Sequence, residues 1–220
     1  MSVVEAVLLD AGGVLLLPDS SVIVGELADA GVVLDPALLE RAHYAGIRAT
    51  DLDASDEMSW WPYNHAYVDA LDVAETKVDA ARAAVNRAFA AMEWNVVIEG
   101  ALAAIATLHE LVRHVAIVSN SDGSVERLLR SLGVIGSSIE TVIDSHITGV
   151  AKPDPAIFEL ALRSLGVEAS RALHVGDSVR FDVVGARAAG VRPLHLDPYG
   201  LCPDADHEHI EALADVARIV

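Results

Sequence analysis

The stretch Val7-Leu8-Leu9-Asp10-Ala11-Gly12-Gly13-Val14-Leu15-Leu16 constrains the fold more than any other part of the chain. An apolar run that ends in one carboxylate reads as a strand buried on both faces. A charge at the end of such a strand is costly unless something pairs with it. Gly12 and Gly13 follow at once, and glycines let the backbone turn sharply and present its N–H groups beside Asp10. The stretch alone leaves two readings open. Asp10 is a nucleophile or metal ligand at the carboxyl edge of a parallel sheet, where open α/β folds bind ligands. Or it caps a turn, as Asp-x-Gly often does.

Beyond this strand the chain alternates strand and helix, with one interruption. Residues 4–10 form the first strand, and Leu15–Leu17 extend a short hairpin before Pro18. From about Asp19 to Asn95 the spacing is helical, with no convincing buried strand. Asp35-Pro36 caps a helix over Ala37–Ala49. A second helix covers Asp56–Ala70, broken at Pro62, and a third covers Thr76–Trp94. Strands then recur at Val115–Val118, Thr141–Ile143, Ala172–Val175 and, last, Val191–Leu196. Helices at Ala101–Leu111, Val125–Leu132, Asp154–Leu165 and Phe181–Ala189 alternate with them, and Ile210–Val216 closes the chain as a helix. The expected fold is a doubly wound, parallel-sheet (Rossmann-like) α/β core, residues 1–17 and 96–220, with an all-helical insertion, residues 18–95.

Composition narrows the function classes. The 33 acidic residues outweigh 15 Lys and Arg, for a net charge of −18. That field repels a nucleic-acid backbone, so no nucleic-acid partner is expected. An anionic small molecule is still accessible through local positive charge. The single Cys202 permits no internal disulfide and suits a reducing cytoplasm. No run approaches the roughly 20 uncharged apolar residues that span a membrane, and the N-terminus reads as a strand, not as a leader. Oligomeric state is not legible.

Polar groups converge where the strands end. Asp10, Ser119 and Gly176-Asp177 each follow an expected strand directly, and parallel strands put their carboxyl ends on one rim. Lys152 lies in the stiff loop Lys152-Pro153-Asp154-Pro155. Carboxylates, a hydroxyl and an ammonium on one rim suit a divalent cation plus a phosphate.

These motifs, with Asp182, Gly185-Ala186 and Ala189-Gly190 after Gly176-Asp177-Ser178, resemble the haloacid dehalogenase-like (HAD) hydrolase superfamily, in its subfamily with a helical cap after the first strand. The resemblance implies an Mg²⁺-dependent hydrolase, a phosphatase of a small phosphorylated metabolite. Asp10 would be the nucleophile, forming an aspartyl-phosphate, and would bind the metal with the Gly12 carbonyl. Ser119 and the Asn120 N–H would hold phosphoryl oxygens. Lys152 would offset the charge of Asp10 and the phosphate. Asp177 would bind the metal directly or through water, and Asp182 would stand behind it or orient Lys152.

One position departs from the family pattern. Phosphatases of this family usually carry a second Asp two residues after the nucleophile, as general acid and then base; here that residue is Gly12. The alternatives are a dehalogenase-type enzyme attacking carbon, which needs no such acid, and a weakly active phosphate-binding member. His43, His65 and His146 are possible substitutes for the acid, though a lone His is more often structural. Arg48 and Arg180 could meet an anionic substrate. Trp60, Trp61, Tyr63 and Tyr67 read as cap core or as a lid wall. The tail Cys202-Pro203-Asp204-Ala205-Asp206-His207-Glu208-His209 has metal-ligand residue types but matches no closed spacing, and reads as a solvated loop.

Overall fold

The computed structural model describes residues 3–53, 60–91, 93–136 and 138–220. Two compact units emerge, Met1–Leu16 with Val97–Val220, and Leu17–Val96. The expected boundaries fell at 17/18 and 95/96.

The first unit is built on a six-stranded sheet in the order β5-β4-β1-β6-β7-β8. Its strands are β1 (Ala6–Leu9), β4 (His114–Ser119), β5 (Thr141–Asp144), β6 (Ala172–Gly176), β7 (Arg192–Leu196) and β8 (Glu208–Ile210). All neighbouring strands are parallel. β1 is buried along its whole length, as an uncharged apolar run requires. Its side chains alternate between two cores. Val7 and Leu9 pack on one face with Val115, Ile117, Ile105 and Leu108, and α5 (Ala101–Leu111) supplies the last two. Ala6 and Leu8 pack on the other with Ile157, Phe158 and Ala161 of α8 (Pro155–Leu165). Helices therefore cover both faces, and α6 (Val125–Ser131), α7 (Ser145–Thr148) and α9 (Val184–Ala188) complete the layers. The chain runs from β1 to β4 and β5 on one side, then crosses to β6 and β7 on the other. β1 thus sits at the switch point, where doubly wound sheets open a crevice at their carboxyl edge.

The second unit is helical: α1 (Ser20–Asp29), α2 (Leu39–Leu52), α3 (Trp61–Asp69) and α4 (Val78–Ala91). Its core joins Ile23, Leu27, Ala42, Tyr63, Tyr67 and Val85. The aromatic cluster divides. Tyr63 and Tyr67 are core, whereas Trp60 and Trp61 are exposed. Pro62 stands in the first turn of α3, where it initiates the helix instead of breaking it. Residues 56–59 of the expected second helix and Met92 of the third lie outside the described residues.

Three expectations are corrected. Leu16–Leu17 (β2) does not fold back as a hairpin on the first strand; it pairs with Val96–Val97 (β3) in a separate two-stranded sheet. Val191–Leu196 is not the last strand, because β8 follows, and the end of the chain is a 3₁₀ turn over Leu213–Arg218 instead of an α-helix. Phe181–Ala189 begins in a π-helical turn, Val179–Val183, before α9.

Leu8 is fully buried on the central strand. Leu8→Ala should lower unfolding free energy by about 2–5 kcal/mol in urea denaturation. A loss under about 1 kcal/mol would show that the two-faced core is not packed as described.

Candidate active site

Register places the site. Leu9 lies opposite Ile117 on β4 and Val175 on β6, so the next residue, Asp10, leaves the sheet between two neighbours. Its N–H donates to the Val175 carbonyl at 2.8 Å, which keeps the ladder intact up to the carboxylate. Ser119 ends β4 and is buried. Asp177 directly follows β6.

Lys152 supplies the positive charge. Its Nζ lies 2.8 Å from Asp10 Oδ1 and 2.7 Å from Asp182 Oδ1, with its side chain 2% exposed. Burial alone pushes this ammonium down, but Asp10 and Asp182 beside it hold it above the ordinary lysine value. Asn120 fixes the backbone behind it. The Asn120 side-chain amide donates to the Lys152 carbonyl at 2.9 Å, and its oxygen accepts from the Lys152 N–H at 2.8 Å. The sequence assigned Asn120 only a main-chain role.

Asp182 is committed to Lys152. Its Oδ1 accepts from Lys152 Nζ and from His174 Nε2 at 2.8 Å, and its Oδ2 accepts from the Ser178 N–H at 3.1 Å. Burial pushes its carboxyl up, but Lys152 and His174 hold it below the usual carboxylate range. Of its two expected roles, this geometry favours orienting Lys152 over ligating a metal. The π-helical turn carries Asp182 back under β6, and a Cβ on Gly176 would lie 2.1 Å from its Cγ. His174 is the residue the sequence missed. A histidine among apolar strand residues was the available signal, but its partner lies eight positions on in an unforeseen turn.

Asp10, Asp177 and Asp182 each place a carboxylate oxygen within 4.8 Å of the others. Burial pushes the Asp10 carboxyl up to about 7; Lys152 opposes this, while Asp182 and Asp177 add to it. Three carboxylates against one ammonium leave the cluster negative. Gly13 has φ +67°, and a Cβ there would lie 1.8 Å from Asp177 Oδ2, so only glycine lets the loop pass so close to that carboxylate. An all-oxygen, net-negative cradle fits a hard divalent cation such as Mg²⁺.

Of the other expected residues, His43, His65 and Arg48 belong to the helical unit. His43 is buried in the helical unit, its Nδ1 2.7 Å from the Tyr63 hydroxyl. His65 lies against the Trp61 ring at 3.8 Å. His146 is exposed on α7, and Arg180 lies over the Phe181 ring. Arg48 belongs to α2 in the helical unit.

A family model described as a haloacid dehalogenase-like hydrolase matches residues 4–190. The chain belongs to the haloacid dehalogenase-like hydrolases. The phosphoglycolate phosphatase of Rhodospirillum rubrum is 35% identical over 139 residues, 63% of this chain and 56% of that protein. The phosphoserine phosphatase of Thermus thermophilus is 46% identical over 63 residues, 29% of this chain and 25% of its own. The haloacid dehalogenase-like hydrolase domain-containing protein 3 of Danio rerio is 42% identical over 81 residues, 37% of this chain and 33% of the relative. The matches thus span from a quarter to little more than half of these relatives. Among solved structures, a magnesium-bound HAD-hydrolase, YfnB of Bacillus subtilis, has a TM-score of 0.66 at 20% identity and covers 99% of both chains. The 2-haloacid dehalogenase of Pseudomonas syringae has a TM-score of 0.57 at 22% identity, over 98% of this chain and 97% of that one. At these identities the likeness shows the shared fold. No helix among the described residues of this HAD-like hydrolase is long and apolar enough to cross a membrane.

Asn120→Ala removes both hydrogen bonds on the Lys152 main chain. It should cost about 1–3 kcal/mol in denaturant unfolding and speed amide exchange at Lys152. Unchanged protection at that amide would show that Asn120 does not hold the loop.

Proposed function

We propose that this chain is an Mg²⁺-dependent phosphatase of a small phosphorylated metabolite, working through Asp10. The observation that carries this is the Lys152 ammonium shared by Asp10 and Asp182, with Asp177 in the same cluster of oxygens. Phosphatases among the partial-length relatives support the same class.

In this reading Asp10, Asp177 and the Gly12 carbonyl hold the Mg²⁺. Bound there, the ion supplies charge neutralisation for the phosphoryl oxygens. Lys152 Nζ lies against Asp10 Oδ1 and holds the carboxylate in place, one oxygen to attack phosphorus and the other to hold the metal when it is bound. As the new Asp10–P bond forms, the bond to the ester oxygen breaks and the alcohol leaves with a proton taken from water. Ser119 and the Asn120 N–H grip the phosphoryl oxygens, and Lys152 balances their charge. Water then attacks phosphorus, which releases inorganic phosphate and restores Asp10. Positioning and charge compensation dominate such transfers, and these residues supply both.

Gly12 brings no general acid to the leaving group. Good substrates are therefore esters whose leaving groups depart without one, such as acyl, anomeric or aryl phosphates. A general acid typically contributes ~10²–10⁴ in rate. In this reading the helical unit contributes to specificity, and the chain works in the cytoplasm.

Across a phosphate-ester panel, kcat/KM should climb as leaving-group pKa falls; a flat dependence contradicts this. Asp10→Asn and removal of Mg²⁺ by chelation should each lower turnover by more than about 10³-fold. Metal-independent halide release from 2-haloacids, with no phosphatase activity, would identify the carbon-attacking alternative instead.

A further inference from the structure

The tail that the sequence presents as a solvated loop is exposed over residues 203–206 and at Glu208 and His209, but the Cys202 and His207 side chains turn inward. His195 and Cys202 are buried, and the His207 ring is 0% exposed. His195, Cys202, His207 and His209 each offer one donor atom, and all four atoms lie within 4.8 Å of one another. His195 and His209 are register partners on the parallel strands β7 and β8. Cys202 and His207 come from the connection, residues 197–207, which contains no helix, although parallel neighbours are usually joined through one.

Hydrogen bonding fixes which nitrogens are bare. His195 Nε2 lies 3.1 Å from the Asp177 carbonyl, which only accepts, so Nε2 carries the proton and Nδ1 does not. His207 Nδ1 lies 2.7 Å from Asp206 Oδ1, so in the neutral ring its Nε2 is bare. Yet His195 Nδ1 and His207 Nε2 face each other at 3.0 Å. Two lone pairs at that distance repel unless a positive species lies between them. His209 Nε2 donates to the Asp204 carbonyl at 2.9 Å, and its Nδ1 lies 3.5 Å from Asp197 Oδ2. The Cys202 sulfur lies 4.0 Å from the same His207 Nε2.

We propose that His195, Cys202, His207 and His209 form a closed, four-coordinate site for a borderline-soft divalent cation, Zn²⁺. Three imidazoles and one thiolate suit zinc and not the hard cation of the carboxylate cluster. The partners behind the ligands are those of metal-binding histidines, a carboxylate for His207 and a carbonyl for His195. Asp206 is itself held by Arg187 of α9 at 2.8 Å. On binding, the Cys202 thiol gives its proton to solvent. The ion would pin the helix-free β7–β8 connection to the strand end that touches the Asp177 main chain. All four ligands lie beyond residue 190, where the family match stops.

The test is metal retention by the full chain after chelator stripping and reloading. Wild type should keep about one equivalent of Zn²⁺ through desalting. X-ray absorption at the zinc edge should show one sulfur and three nitrogens, and the Co²⁺ form should show a thiolate-to-cobalt charge-transfer band. Cys202→Ser should abolish that band, and His207→Gln should weaken Zn²⁺ binding about tenfold or more. Asp177→Asn, in the carboxylate cluster, should leave band and stoichiometry unchanged. A wild-type zinc shell without sulfur, no retained ion, or a band that survives Cys202→Ser would each overturn the proposal.

Discussion

Lys152 Nζ is sealed from water, 2.8 Å from one carboxylate and 2.7 Å from another. Neither acid could stand so deep without it, since an unpaired buried charge is far costlier than a paired one. Loss of one partner from a buried pair typically costs about 3–5 kcal/mol, because the other charge stays behind. The interaction therefore ties the site to the fold. Asp10 is anchored in the β1 ladder and Asp182 in a π-helical turn, and Lys152 is clamped at its main chain by Asn120. The ammonium is shared by two acids, and all three residues are independently fixed.

Backbone economy at the rim makes the sharing possible. Gly13 and Gly176 let main chain run against Asp177 and Asp182 at distances that any Cβ would forbid. The carboxylates crowd together as a result, and their mutual repulsion exceeds what one ammonium can offset. A cluster left negative suits a divalent cation and, in the proposed function, an anionic ester beside it. The second cluster, next along the sheet on β7, β8 and their connection, obeys the opposite chemistry, with nitrogen and sulfur donors. One chain thus presents a hard and a soft donor set, and the two meet through the Asp177 carbonyl, which accepts from His195.

The apolar run of residues 7–9 ending at Asp10, and the strands before Ser119 and Asp177, were legible because a buried parallel strand leaves a pattern in consecutive residues. The helical insertion was legible for the same reason. What escaped depends on distance in sequence. Asp182 and His174 pair only because a π-helical turn bends the chain back. Asn120 clamps Lys152 through a side chain that its place after β4 does not announce. The tail looked like solvent-exposed polar chain because its fourth donor, His195, sits on a different strand. Only the β7–β8 register brings His195 beside His209, and β8 itself is too short, at Glu208–Ile210, to leave a periodic signal. Trp60 and Trp61 misled in the reverse direction, since their size suggests core while their positions are exposed.

The central claim is that Asp10 and Asp177 share a cation while Lys152 stays on Asp10. Anomalous diffraction from crystals grown with Mn²⁺ in place of Mg²⁺ tests it most directly. The account predicts a peak bounded by oxygens of Asp10 and Asp177, with Lys152 Nζ still bridging Asp10 and Asp182. No peak at that cluster, or a Lys152 side chain swung away from both acids, would contradict it.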